Sequence, residues 1–105
     1  LKNVINLIKL RRFKMTQKQT ETAIRKHMKE FGEWLISKNR AYGNSVVENI
    51  NVFGKGTALD IIKIRMDDKL KKMIKGKDLS EEKDDAGKDF CGYWHLLKIL
   101  EKIGE

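Results

Sequence analysis

Proline is absent from this chain and cysteine occurs once, at Cys91. Without proline no position is barred from a helix interior by a missing N–H. Strand-like alternation is scarce and apolar residues mostly recur at helical spacing, which together point to an all-α fold. A single cysteine excludes an intrachain disulfide and fits a reducing, cytoplasmic setting. No stretch approaches the roughly 18 apolar residues needed to span a bilayer, so no transmembrane segment is expected. Aromatics are also few: two Trp, two Tyr and four Phe among 105 residues. That supply suits one modest core. The expected architecture is a small bundle of three to five helices whose core is completed by homo-oligomerisation.

Charge, by contrast, is plentiful, and the formal net charge is +8. Such a charge attracts polyanions such as nucleic acid, nucleotides or a membrane surface; the plain alternative is solubility. The basic residues are spread along the chain rather than massed in a tail. Residues 1–15 read as an extension or an accessory helix with Leu1, Val4, Ile5 and Ile8 on one face. They lack the positive-then-apolar order and the small-residue cleavage site of a signal peptide. Residues 16–105 are expected to form a single all-α domain.

The first firm helix is expected from Thr16 or Thr20 to Asn39, with Ile24, Met28, Phe31 and Leu35 as its core stripe. Lys38 lies on that stripe one turn further on, and His27 lies beside it. Glu30-x-x-Glu33 falls on the outer face, where both acids are solvated. Tyr42-Gly43-Asn44 suits a tight turn, and Ser45-Val-Val-Glu48 has the form of a capping box that starts a short helix to about Phe53. Gly54-Lys-Gly-Thr57 resembles a fragment of a phosphate-binding loop but lacks the full pattern and a preceding strand, so it reads as a flexible turn. A second firm helix is expected from Ala58 to Lys75, stopped by Gly76, with Leu59, Ile62, Met66 and Met73 facing the core. A third is expected over Leu79–Ile103, capped by Asp78 or Ser80.

On a helix over Leu79–Ile103, Glu82, Asp85 and Asp89 share one face with Tyr93, Leu96, Leu97 and Leu100; Asp89 lies about 20° from Glu82 on the wheel. Acids on a core-facing stripe are costly unless a cation or metal meets them. Cys91 falls on the opposite face, where it reads as a packing residue. On the preceding helix Arg65 and Lys69 intrude on the apolar stripe in the same way, with Asp68 further out. If the two helices pack antiparallel, these groups share one cleft. Asp68, Glu82, Asp85 and Asp89 form a hard oxygen set suited to Mg2+ or Mn2+. Arg65, Lys69 and Lys38 suit phosphate, and Tyr42 and Tyr93 suit stacking on a base. The alternative is that Arg65 and Lys69 form half-buried ion pairs with Asp85 and Asp89 that lock the helix register.

The series Lys38-x-x-x-Tyr42-Gly43-Asn44-Ser45, then Arg65-x-x-Asp68-Lys69-x-x-Lys72, then Glu82-x-x-Asp85-x-x-x-Asp89-x-x-x-Tyr93 resembles the phage-associated nucleotide-modification-associated domain, first type. That family is similar to the MazG-like all-α nucleoside triphosphate pyrophosphatases. The resemblance implies a Mg2+-dependent protein of phage or prophage type acting on nucleotides in the host cytoplasm. In that reading Asp68, Glu82, Asp85 and Asp89 hold metal, Asp85 and Asp89 are the catalytic carboxylates, and Lys38, Tyr42, Asn44, Arg65, Lys69 and Tyr93 contact substrate. One departure stands out. Where MazG-like enzymes carry E-x-x-E on the first of two helices, this chain has Arg65-x-x-Asp68-Lys69. Three functional expectations follow: a nucleotide pyrophosphohydrolase, a non-catalytic protein that binds nucleotides or a host factor, or a basic nucleic-acid-binding helical domain.

Overall fold

A computed structural model of the chain describes residues 14–76 and 85–104. The described residues are all-α, with three helices and no strand: α1 (Gln17–Ala41), α2 (Ala58–Ile74) and α3 (Ala86–Ile103). The chain falls into two compact units, Leu1–Ile36 and Ser37–Glu105.

In the first unit, α1 begins on a reciprocal cap. The Gln19 N–H donates to Thr16 Oγ1 at 3.1 Å, and the Thr16 N–H donates to Gln19 Oε1 at 2.9 Å. Two of the orphan donors at the helix start are thereby satisfied, and the helix starts after Thr16 rather than at Thr20. The Phe31 and Trp34 rings lie 5.4 Å apart. Among the described residues α1 contains no buried residue, and Ile24 and Met28 of the expected core stripe are 56% and 45% exposed. Helical spacing shows which side chains share a face; burial also needs a second element over that face. His27 is exposed, as are Glu30 and Glu33.

In the second unit the last residues of α1 lead into a series of turns over residues 42–47. Gly43 and Asn44 both take positive φ, 59° and 62°, a conformation that Gly and Asn tolerate and that ends a right-handed helix. Asn44 Oδ1 accepts from Asn39 Nδ2 at 2.9 Å, and the Val47 and Glu48 N–H groups both donate to the Asn44 carbonyl. The short helix expected over residues 45–53 does not form. The Val47 and Glu48 bonds to Asn44 close a single turn that is not continued, and Asn51 turns left-handed at φ 52°. Val46 is buried and anchors the turn to the core.

Thr57 caps α2 by accepting from the Asp60 N–H at 3.1 Å. The helix closes as its composition predicts: Lys75 is the C-cap, and Gly76, at φ 72°, donates its N–H to the Met73 carbonyl. The core is small. Val46, Ile62 and Leu97 are buried, with Leu59, Met66, Tyr93, Leu96 and Leu100 packed around them. Ile62 is fully enclosed. The pairing runs antiparallel. Early residues of α2 meet late residues of α3 in the core, whereas Lys69 meets Asp89, and Met73 lies 3.9 Å from a Cβ built on Gly87.

Candidate functional site

The carboxylates at the start of α3 take two different roles. Asp85 lies outside the helix at φ −77°, ψ 88°, and its Oδ1 accepts from the Lys88 N–H at 2.8 Å. It is the N-cap. The expectation that a helix carries Glu82, Asp85 and Asp89 on one continuous face therefore fails at Asp85, because a side chain bonded to the first-turn amides replaces another helical turn. Asp89 then falls in the first turn of α3 rather than deep within it, where the helix dipole favours a negative charge. Glu82 lies outside the described residues, as do the expected caps Asp78 and Ser80.

Asp89 is where the expected cations converge. Lys38 Nζ lies 3.1 Å from Oδ1 and Lys69 Nζ 3.2 Å from Oδ2, so each carboxylate oxygen carries its own ammonium. Only 14% of the Asp89 side chain and 19% of the Lys69 side chain are exposed, against 37% for Lys38. A carboxylate so far withdrawn from water needs such partners. Burial works against the charge on Lys38, but the hydrogen bond and charge of Asp89, with smaller help from Tyr42 and Tyr93, outweigh it and hold its pKa above the usual lysine value. Lys38 Nζ also lies 5.9 Å from the centre of the Tyr42 ring. Thus Lys38, Lys69 and Asp89, drawn from three separate parts of the chain, meet at one point, and Tyr42 borders it. Asn44 is engaged in the turn after α1.

The second feature is an open depression of about 510 Å³ along the end of α2. Arg65, Lys69, Lys72 and Lys75 follow one another at i+4 and i+3 intervals and, with Asp68, line it, and Tyr93 of α3 closes one side. Lys71 also contributes, so five cations surround one carboxylate. Lys75 was not expected at this site, although its position three residues after Lys72 continues the same row. Tyr93 is half-buried between this depression and the core.

Among the described residues no group of three or more His, Cys, Asp or Glu side chains is placed to hold a metal ion. The local bonding gives the reason: both oxygens of Asp89 face ammonium groups, and Asp85 caps a helix. Asp68, exposed in the wall of the depression, has basic side chains for its neighbours there. Cys91 is exposed, on the side of α3 away from the core. No helix among the described residues is long and apolar enough to cross a membrane. Compared with models of known protein families, with curated protein sequences and with solved structures, the chain matches none.

Proposed function

We propose that this chain binds a phosphorylated small molecule of the nucleotide class in the basic depression along α2. The observation that carries the reading is the set of five cations on one helical face, closed at one side by Tyr93. A planar guanidinium at Arg65 can engage two phosphate oxygens at once, whereas the lysines act as point charges along a polyphosphate. The Tyr93 ring offers a surface on which a base can stack and a hydroxyl for a sugar or base atom. Lys69, held by Asp89, supplies a fixed positive charge at the edge of the depression rather than a mobile one. In this reading Asp89 and Asp85 shape the site, the first by pinning two lysines and the second by starting α3.

One observation favours a second reading. Asp68 lies among the phosphate-binding cations, where a carboxylate would serve the Mg2+-dependent pyrophosphohydrolysis that the family resemblance implies. The test separates the two readings. Binding of ATP and dATP is measured by calorimetry in EDTA and again in Mg2+, and pyrophosphate release is followed in the same Mg2+ samples. Saturable binding in EDTA that is lost in Arg65→Ala/Lys72→Ala, with no pyrophosphate formed, supports the binding protein. Pyrophosphate formed only with Mg2+ and abolished by Asp68→Asn supports the hydrolase. If the chain ignores nucleotides but binds DNA with steep salt dependence, the +8 charge acts on nucleic acid, and both readings fail.

A further inference from the structure

The segment between the turn after α1 and the start of α2 places its largest apolar side chains in water. Phe53 is 100% exposed, Ile50 87% and Val52 58%. They are not on an unstructured stretch. Asn51 holds a left-handed conformation at φ 52°, and its Oδ1 accepts from the Gly56 N–H at 3.4 Å. The backbone between these two residues is thereby closed into a short excursion with Val52, Phe53 and Lys55 on it. Ile61 and Ile64 of α2 share an open depression with this loop, and Ile64 is itself 59% exposed. A contiguous apolar patch of this kind marks an interaction surface rather than scattered surface residues. None of these residues belongs to the basic depression apart from Arg65, which borders both.

We infer that the loop from Ile50 to Gly56 is a docking element for an anionic phospholipid surface, with Phe53 and Val52 entering the interface and Lys55 and Arg65 facing the headgroups. Charge decides the occupant. The depression that holds these side chains is lined by two cations, Lys55 and Arg65, against one acid, Asp60, and the whole chain is at +8. A second copy of the chain brings the same charge and is repelled; an anionic bilayer is attracted, and each basic residue near its surface adds to the binding. Shape points the same way. A side chain as fully uncovered as Phe53 stands at a tip, and a tip fits a fluid interface that needs no matching groove. Attachment of this kind combines buried apolar area with electrostatic attraction and leaves the chain lying on the membrane. It shares Arg65 alone with the basic depression.

The test uses the full chain and vesicles of phosphatidylcholine, alone or with about one-third phosphatidylserine. The wild type should sediment with the phosphatidylserine vesicles and remain in solution with phosphatidylcholine alone. Val52→Ser/Phe53→Ser should weaken that binding by at least about tenfold, since both apolar side chains leave the interface. Because Phe53 touches no core, circular dichroism should be unchanged. A second measurement places the tip directly. In a Cys91→Ser/Phe53→Cys chain carrying an environment-sensitive fluorophore, emission should rise and shift to the blue on the same vesicles. Three results would overturn the proposal. One is no binding by the wild type. Another is equal binding by the serine variant with no change in the probe, which would mean attraction by charge alone. The third is a serine variant of lower oligomeric mass than the wild type in free solution, which would make the tip a contact between copies.

Discussion

Replacing Asp89 by Asn keeps the size of the side chain and removes the charge that two lysines share. At 3.1 and 3.2 Å from Lys38 and Lys69, each pair attracts by about 5 kcal/mol at an effective dielectric of about 20 and by little more than 1 kcal/mol in water. Neither value is the net effect. Lys38 is more than a third exposed, so its share is close to that of a surface pair, roughly 0.5 kcal/mol. Lys69 and Asp89 are mostly withdrawn from water, and breaking their pair leaves an ammonium against the core with no anion. Full burial would make that loss about 3–5 kcal/mol, so partial burial places it near 1.5. Asp89→Asn is therefore expected to cost about 2 kcal/mol, or roughly 10 °C in Tm for a domain of this size. Thermal and urea unfolding in EDTA read the effect without any metal. A double-mutant cycle identifies its source: Lys69→Met should destabilise the wild type and be neutral or favourable in the Asp89→Asn background. The reasoning is refuted if Asp89→Asn lowers Tm by less than about 2 °C, or if the two changes add within about 0.3 kcal/mol.

Two further outcomes follow from the same region. Asp85→Ala removes the N-cap of α3 and should cost about 1 kcal/mol, whereas Asp85→Ser should recover most of it, because a hydroxyl also caps; urea midpoints distinguish the pair, and equal losses in both would show that Asp85 acts otherwise than as a cap. Lys38 has a folded pKa above its unfolded value, so its stabilising share is complete below about pH 10.4 and disappears as pH rises through the folded value. The stability difference between the wild type and Lys38→Met should accordingly be flat across neutral pH and shrink at strongly alkaline pH; a difference that grows there would contradict the pairing with Asp89.

Much of the second unit is legible from local chemistry. Thr57 and Gly76 mark the two ends of α2, and the residues at i, i+3 and i+7 from Leu59 are those that meet the core. Arg65, Asp68, Lys69 and Lys72 can be recognised as one face because the helix between them is unbroken. The start of α3 is different. A wheel drawn from Leu79 assumes a continuous helix, and Asp85 interrupts it with a cap. Of the three acids with helical spacing, Asp85 is a cap and Asp89 an ion-pair centre. The turns over residues 42–47 also defeat local reading, since Ser45-Val-Val-Glu48 has the form of a capping box while the Val47 and Glu48 bonds to the left-handed Asn44 close a single turn that is not continued.

Composition and periodicity were thus sufficient for the all-α class, the limits of α2 and the core-facing residues Leu59, Ile62 and Met66. Each of these depends on residues within a few positions of one another, where helix geometry and capping act. Three outcomes depend on elements far apart in the chain. Lys38 and Asp89 meet across 51 residues, α1 carries an apolar stripe with no buried residue among those described, and Phe53 stands outside the core rather than in a helix. A helical pattern states which side chains share a face. Whether that face meets a cation, another helix or water is decided by packing, and burial and charge have opposite consequences in each case.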